Sequence, residues 1–150
     1  MSAHKKASEI VQKLINTCRD GQNGYRDAAE HVTDSNLRQF FNAQSLARAA
    51  FAGELEQELI AMGEPDPGRT GSISGAIHRA WIDLKATLGG GDRAILSAVE
   101  AGEDDARQAY EKALAEGCLP EPIATVARRQ LTSIAAAHDH VCILREAKAA

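Results

Sequence analysis

Residues 9–32, EIVQKLINTCRDGQNGYRDAAEHV, carry apolar or small side chains at steps of three and four positions. Because an α-helix turns once in about 3.6 residues, this spacing places them on one stripe of a helix. The stripe consists of Val11, Leu14, Cys18, Gly21, Tyr25, Ala28 and Val32. The stretch therefore predicts a long amphipathic helix that buries one side against other helices.

The same period recurs along the rest of the chain and is interrupted by turn-forming residues. It predicts further helices over 35–62, 73–88, 93–116 and 121–147, so that residues 1–150 form a single all-α domain. Asp34 or Ser35 is suited to cap the second helix, and Asp92 the fourth. The prolines and glycines of GEPDPGRTG, residues 63–71, predict a loop after the second helix.

The two halves of the chain are similar to each other. The first helix aligns with the fourth, which pairs Gly21 with Gly102, and the second aligns with the fifth, which pairs Gln44 with Gln130. Two hairpins joined through a short crossover helix are the expected result, as in ferritin-like bundles. We expect the glycines to permit close helix packing, with a ligand cavity as the alternative. We expect the glutamines to bond to each other or to a nearby backbone or carboxylate group.

Composition limits the classes of function. The formal net charge is −4 and the basic residues are dispersed, which argues against nucleic acid as a partner. Cys18, Cys118 and Cys142 form no C-x-x-C pair, which predicts reduced thiols instead of a disulfide framework or a structural zinc site. No stretch has the apolar length of a membrane span, and the N-terminus lacks signal-peptide features. The predicted location is cytoplasmic, without an integral membrane segment.

The predicted crossover helix carries an apolar stripe that includes Trp81, the sole tryptophan. The stripe consists of Ile73, Ile77, Trp81 and Leu84, and Ala76, Ala80 and Ile82 lie beside it. Trp81 is expected to anchor this helix to the bundle, with a hot spot for another subunit as the alternative. Because apolar surface is left over, we predict a homodimer, and an unknown protein partner is the second interpretation.

Five stretches distributed along the chain are typical of one family. They are GYRDAAE (24–30), FAGELEQEL (51–59), HRAWIDLKATL (78–88), EAGEDDARQAYEKAL (100–114) and AHDHVCILR (137–145). They resemble the bacterial ferritin-like four-helix-bundle proteins of unknown function, from about residue 9 to residue 145. The resemblance implies a ferritin-like fold and no established activity. Some more distant ferritin-like relatives hold two irons with a Glu from each of two helices and a Glu-x-x-His from each of the other two.

Only a degenerate version of that ligand set is present. Glu54 is followed three residues later by Gln57, where the motif has histidine, and His138 is preceded by Ala135, where the motif has glutamate. Carboxylates of the fourth helix complete the candidates. The candidate metal ligands, for iron or zinc, are Glu54, Glu100, Glu103 and His138. The acidic run around Glu103 is otherwise explained as a solvated helix face.

His138 and His140 lie two residues apart and therefore point about 200° apart on a helix, so they cannot grip one ion together. One interpretation makes them histidines at the surface or at the edge of the core. Cys142 follows His138 by four residues and shares its side, so that a soft-metal or redox pair is the other interpretation, beside a buried inert thiol.

Two hypotheses of function follow. The first is a non-enzymatic binding or stress-associated module, with no catalytic residue and no cofactor, and we favour it. The second is a metal-binding oxidoreductase or iron-handling protein with a degenerate, di-iron-like ligand set. The sequence contains no Ser-His-Asp order, phosphate-binding glycine loop or dinucleotide fingerprint that indicates another enzyme class.

Overall fold

The computed structural model describes residues 3–63, 81, 87 and 89–149. It contains four long helices: α1 (Ala3–His31), α2 (Ser35–Ala61), α3 (Asp92–Ala115) and α4 (Glu121–Ala149). No strand occurs among these residues, which confirms the all-α prediction for them. No helix in this part of the chain combines the length and the apolar composition needed to cross a membrane. The crossover helix predicted over 73–88 lies outside the described residues, except for Trp81 and Thr87, which are both helical.

The first helix begins earlier than the predicted position 9. It starts at Ala3, and the buried residues Ala7 and Ser8 extend its inward stripe toward the N-terminus. This extension of the stripe is not evident from the sequence, because Ala7 and Ser8 are small and follow the charged and polar residues His4, Lys5 and Lys6. The other three helices lie within two residues of the predicted limits at each end.

The helices form two antiparallel hairpins, α1 with α2 and α3 with α4, which pack against each other through α1 with α3 and α2 with α4. Tyr25 contacts Glu103, whereas Cys18, seven residues earlier in α1, contacts Tyr110, seven residues later in α3. This order shows that α1 and α3 are also antiparallel. Consequently, α2 and α3 run in the same direction. The end of α2 and the beginning of α3 therefore lie at opposite ends of a four-helix bundle.

Two apolar clusters fill the bundle, one toward each end. The first contains Val11, Leu14, Leu55, Ile123 and Ile134 among others, and the second contains Val32, Leu37, Phe41, Ile95 and Val141 among others. Residues with buried polar groups lie between them: Cys18, Tyr25, Arg48, Glu103, Tyr110 and Gln130. We call these six residues the polar layer. Burial of the apolar clusters supplies the main stabilisation of the fold, at about 25 cal/mol for each Å² removed from water.

The bundle end that holds the α1–α2 turn is fastened by two aspartates. Asp34 caps α2 as predicted, since its Oδ1 accepts hydrogen bonds from the backbone N–H groups of Asn36 (2.8 Å) and Leu37 (3.2 Å). Asp92 does not cap α3; Gly91 holds that position, with φ at 92°. Instead, the Asp92 carboxylate accepts the backbone N–H groups of Thr33 (2.8 Å) and Asp34 (3.0 Å). The predicted capping role is wrong because Asp92 already lies inside the first turn of α3, where its carboxylate reaches the turn of the other hairpin instead of the N–H groups of its own helix.

The inward glycines accommodate large side chains, whereas the sequence predicted that they permit close packing of helix backbones. A Cβ at Gly102 would lie 2.6 Å from Cε2 of Trp81, and a Cβ at Gly24 would overlap the same ring. Gly21 instead faces Arg48, whose Nη1 would lie 3.2 Å from an added Cβ. The expectation of close backbone packing between the two helices is therefore replaced by two pockets for large side chains. Trp81 is 6% exposed, which agrees with its predicted role as an anchor on the bundle.

Candidate metal centre

A salt bridge occupies the middle of the bundle. Arg48 on α2 is 1% exposed and Glu103 on α3 is fully buried. Arg48 Nη1 donates to Glu103 Oε1 at 2.6 Å, and Nη2 donates to Oε2. The hydroxyl of Tyr25 on α1 also donates to Oε2, at 2.7 Å, and the guanidinium carbon lies 5.4 Å from the centre of the Tyr25 ring. Both oxygens of Glu103 are thus held by hydrogen bonds from charged or phenolic donors.

The second part of the polar layer is a chain of hydrogen bonds with a defined direction. Gln130 Nε2 donates to the carbonyl oxygen of Phe51 at 3.2 Å, so its Oε1 must face Tyr110 and accept the phenolic proton at 2.7 Å. Cys18 Sγ lies 3.0 Å from the Tyr110 oxygen. Because the phenol has a single proton, the Cys18 thiol donates in this contact. The chain therefore runs from Cys18 through Tyr110 and Gln130 to the backbone of α2.

This chain also answers the prediction made for the two glutamines. Gln44 and Gln130 do not form the expected pair, since the amide of Gln130 bonds to Tyr110, Phe51 and Glu54. The alternative expectation, a backbone and carboxylate partner, holds for Gln130. Gln44 is only partly buried, and Arg48, one helical turn further on, is the α2 residue that lies in the polar layer.

The Cys18 thiol, the Tyr25 and Tyr110 phenols and the Arg48 guanidinium keep their protons at neutral pH. Burial raises the pKa of the Cys18 thiol to about 11. Burial, with the nearby Glu103 charge, raises the pKa of Tyr25 well above its usual value, and burial also raises that of Tyr110. Burial by itself lowers the pKa of Arg48, but Glu103 outweighs it and raises the pKa above the ordinary value. The layer therefore offers no thiolate or phenolate as a nucleophile.

The four predicted metal ligands are divided among three places. Glu103 lies in the polar layer with Arg48. Glu54 is engaged at the edge of the bundle, where its Oε2 forms an ion pair with Arg129 and its Oε1 accepts from Gln130 at 3.2 Å. The structure therefore separates these two carboxylates, and both are paired with cations.

Glu100 and His138 are brought together, and Cys142 joins them. One ligand atom from each of the three side chains lies within 4.8 Å of the other two, and all three residues are partly buried. Glu100 comes from α3, whereas His138 and Cys142 are separated by one turn of α4, so that both face α3. His138 Nδ1 lies 4.0 Å from Cys142 Sγ. Burial and the neighbouring Glu100 carboxylate raise the pKa of the Cys142 thiol. We call these three residues the α3–α4 cluster.

Charged groups surround the α3–α4 cluster. His138 Nε2 lies 3.9 Å from Asp104 Oδ1, and Arg145 Nη1 lies 2.7 Å from Glu100 Oε1. An open surface pocket of about 360 Å³ gives access from solvent and is lined by Ser97, Glu100, Ala101, Asp104, His138 and Arg145. His140, by contrast, is exposed and packs its ring against Phe40, with 4.8 Å between the ring centres. The two histidines thus lie in different environments, as their spacing predicted.

Arg48 is not among the site residues predicted from the sequence, although the pattern of α2 points to it. It lies seven residues after Phe41 and seven before Leu55, which are both buried, so the inward stripe of α2 passes through it. Because charged residues usually lie at the surface, the charge of Arg48 favours an exposed position, as the charge of Glu103 favours the interpretation as a solvated helix face. The available signal was the coincidence of one basic and one acidic residue on inward stripes of helices from different hairpins. Such charges are buried only when they are paired.

Comparison with protein-family models matches residues 6–116 to the family described as Domain of unknown function (DUF2383). This match covers most of the chain, and the protein therefore belongs to that family. The matched region contains α1 from residue 6 onward, all of α2 and α3, and therefore Arg48 and Glu103, and it ends before α4. A search of curated proteins finds no match.

Proposed function

We propose that this DUF2383 protein is a non-enzymatic helical binding module of ferritin-like topology. The observation that carries the proposal is the salt bridge between Arg48 and Glu103, which occupies the interior of the bundle. Ferritin-like relatives that hold two irons use inward carboxylates and histidines in the bundle core. Here the inward carboxylate is already neutralised by a guanidinium and receives a further hydrogen bond from Tyr25.

The charge of Arg48 opposes a divalent cation in this layer. The cation would replace contacts to Glu103 at 2.6 Å and would be left beside a buried positive charge. Like charges at such distances repel strongly where the effective dielectric constant is low. The remaining inward groups, Gln130 and the protonated Cys18 and Tyr110, are bonded to one another. This set supports a structural core and does not supply a site for a buried substrate.

The direction of the helices supports the ferritin-like part of the proposal. Two antiparallel hairpins whose second and third helices are parallel require a long connection between hairpins, and ferritin-like folds have one. The end of α2 and the beginning of α3 lie at opposite ends of this bundle.

Aerobic reconstitution with ferrous iron tests the proposal against the metal-dependent oxidoreductase. Untagged protein is expected to oxidise iron no faster than a matched solution of serum albumin and to retain no stoichiometric iron after gel filtration. Binding of about two irons per chain, the di-iron stoichiometry, together with its loss in Glu54→Ala or Glu103→Ala, would overturn the proposal. Circular dichroism of the two variants distinguishes the loss of ligands from unfolding.

We further propose that the protein binds a second copy of itself. Trp81 packs inside the bundle against Gly24 and Gly102, so it is unsuited to act as the interface hot spot. Ile73, Ile77 and Leu84 lie outside the described residues, and the proposal for them rests on their apolar sequence pattern. Sedimentation velocity is expected to give a dimer that Ile82→Lys converts to a monomer. A wild-type monomer at high micromolar concentration would contradict self-association.

A further inference from the structure

The α3–α4 cluster lies outside the polar layer and combines three kinds of metal ligand. A carboxylate from Glu100, an imidazole from His138 and a thiol from Cys142 converge from two neighbouring helices. Oxygen, nitrogen and sulfur donors in one site suit a borderline cation such as Zn²⁺, whereas Ca²⁺ and Mg²⁺ prefer sites made of oxygen alone. The variety of donors distinguishes this cluster from an acidic patch on a helix surface.

We propose that Glu100, His138 and Cys142 bind one Zn²⁺ ion, with the fourth position left to water or a small ligand. His138 and Cys142 lie one helical turn apart on α4 and act as a chelating pair, and Glu100 closes the site from α3. The open pocket on this face, about 360 Å³ in volume, provides a path for the ion and space for the fourth ligand. Three protein ligands and one open position form a common zinc arrangement.

The distances require only a small rearrangement. Tetrahedral zinc with bonds of about 2.0–2.3 Å keeps its ligand atoms roughly 3.3–3.8 Å apart. The three candidate atoms already lie within 4.8 Å of one another, and His138 Nδ1 and Cys142 Sγ are separated by 4.0 Å. Side-chain rotations that move the ligand atoms by about 1 Å therefore assemble the site without movement of the helices.

The surrounding residues support this assignment. If Nδ1 of His138 binds the ion, Nε2–H is left to face Asp104 Oδ1, which lies 3.9 Å away. A carboxylate that accepts from the second imidazole nitrogen orients the ring and increases its basicity. Arg145 now pairs with Glu100 at 2.7 Å, and a shift of its flexible guanidinium toward solvent frees that oxygen for the metal.

Zinc in this cluster would tie α3 to α4 and would leave the polar layer unchanged. The inference is therefore independent of the closed interior proposed above, and it concerns a site at the bundle surface. Its physical consequence is stabilisation of the second hairpin that increases with zinc concentration, because the ion binds the folded chain in preference to the unfolded one.

Cobalt substitution provides the first test, because thiolate coordination to Co²⁺ gives a charge-transfer band in the near ultraviolet. Reduced, untagged protein is titrated with Co²⁺ and then with Zn²⁺ as competitor. We expect a thiolate band that saturates at one equivalent and is displaced by zinc. Cys142→Ala is expected to abolish the band, whereas Cys118→Ala, a matched change at another partly buried cysteine, retains it.

A second comparison uses the two histidines. His138→Asn is expected to weaken zinc binding by more than the roughly 10–100-fold that loss of an outer-shell partner causes, and Asp104→Asn by about 10-fold. His140→Asn, on the exposed face, should leave the affinity unchanged. Zinc should also protect Cys142, and not Cys118, from alkylation by iodoacetamide, as measured by peptide mass spectrometry.

Three outcomes would overturn the inference. They are a cobalt complex without a thiolate band, a band that survives in Cys142→Ala, and zinc binding that falls equally in His138→Asn and His140→Asn. The last result would indicate adventitious binding by surface histidines. Circular dichroism of every variant ensures that a lost signal reports a lost ligand and not an unfolded chain.

Discussion

Removing one partner of the buried salt bridge should destabilise the protein strongly, whereas replacing Arg48, Glu103 and Tyr25 together by apolar residues should not. Glu103→Gln leaves the Arg48 charge buried without compensation. Arg48→Met removes the cation from Glu103 and leaves it the hydrogen bond from Tyr25. Each change breaks hydrogen bonds to a charged group that is at most 1% exposed. Breaking a buried ion pair in this way costs about 3–5 kcal/mol, a large part of the ~5–15 kcal/mol that stabilises a domain.

The apolar replacement is expected to recover that loss. In the triple variant Arg48→Met, Glu103→Leu, Tyr25→Phe, no member of the group remains unpaired, and similar exchanges elsewhere have been neutral or stabilising by ~1–4 kcal/mol. Urea unfolding followed by circular dichroism measures all three variants. The midpoint of each single variant should fall by roughly 1–5 M, which is the loss of about 3–5 kcal/mol divided by slopes of about 1–3 kcal/mol/M. The triple variant should unfold near the wild-type midpoint or above it.

A specific result would refute the reasoning. If Glu103→Gln and Arg48→Met each cost under about 1 kcal/mol and their effects add, the two charges are solvated and do not interact as a buried pair. Glu56→Gln is the matched control, because its ion pair with Arg19 is partly exposed and is expected to contribute only ~0–1 kcal/mol.

Three further changes test other contacts, each by thermal or urea unfolding. Gly102→Ala should destabilise the protein by about 1–3 kcal/mol and alter Trp81 fluorescence, because the new methyl would lie 2.6 Å from the ring. Gly53→Ala, where an added methyl meets open space, should stabilise it by up to ~1 kcal/mol. Equal effects of the two changes would contradict the packing of Trp81 against Gly102. Gln130→Leu should cost about 1–3 kcal/mol, because the buried Tyr110 hydroxyl loses its acceptor and the Phe51 carbonyl loses a donor. A change within ~0.5 kcal/mol would argue against the hydrogen-bond chain. Burial opposes ionisation of Asp92, but hydrogen bonds from the α1–α2 turn outweigh it and lower the pKa of this carboxyl. The stabilisation from these bonds is therefore full above the unfolded pKa of about 3.9 and is lost as the pH falls through the lower folded pKa. The stability difference between wild type and Asp92→Asn should be largest at neutral pH and shrink in acid, and a constant difference would refute this.

The helices and the faces that they bury could be predicted from the sequence, because both depend on the order of residues within one segment. Val11, Leu14 and Tyr25 repeat at the period of the α-helix, and the structure buries all three. Asp34 caps α2 through the backbone N–H groups that follow it, which is also a local interaction. Patterns of this kind require no knowledge of the partner helix.

The partners of the buried groups were decided by tertiary structure. Periodicity gives the direction in which a residue points, but the axial alignment of two helices determines what it meets. Gly102 therefore accommodates Trp81 instead of approaching α1, and Glu103 meets Arg48, fifty-five positions earlier in the chain, instead of water or a metal. In the same way, Glu100 reaches His138 and Cys142 only because α3 and α4 run antiparallel in one particular alignment. That alignment is set by the combined packing of both apolar clusters, a property of the whole bundle that no single segment encodes.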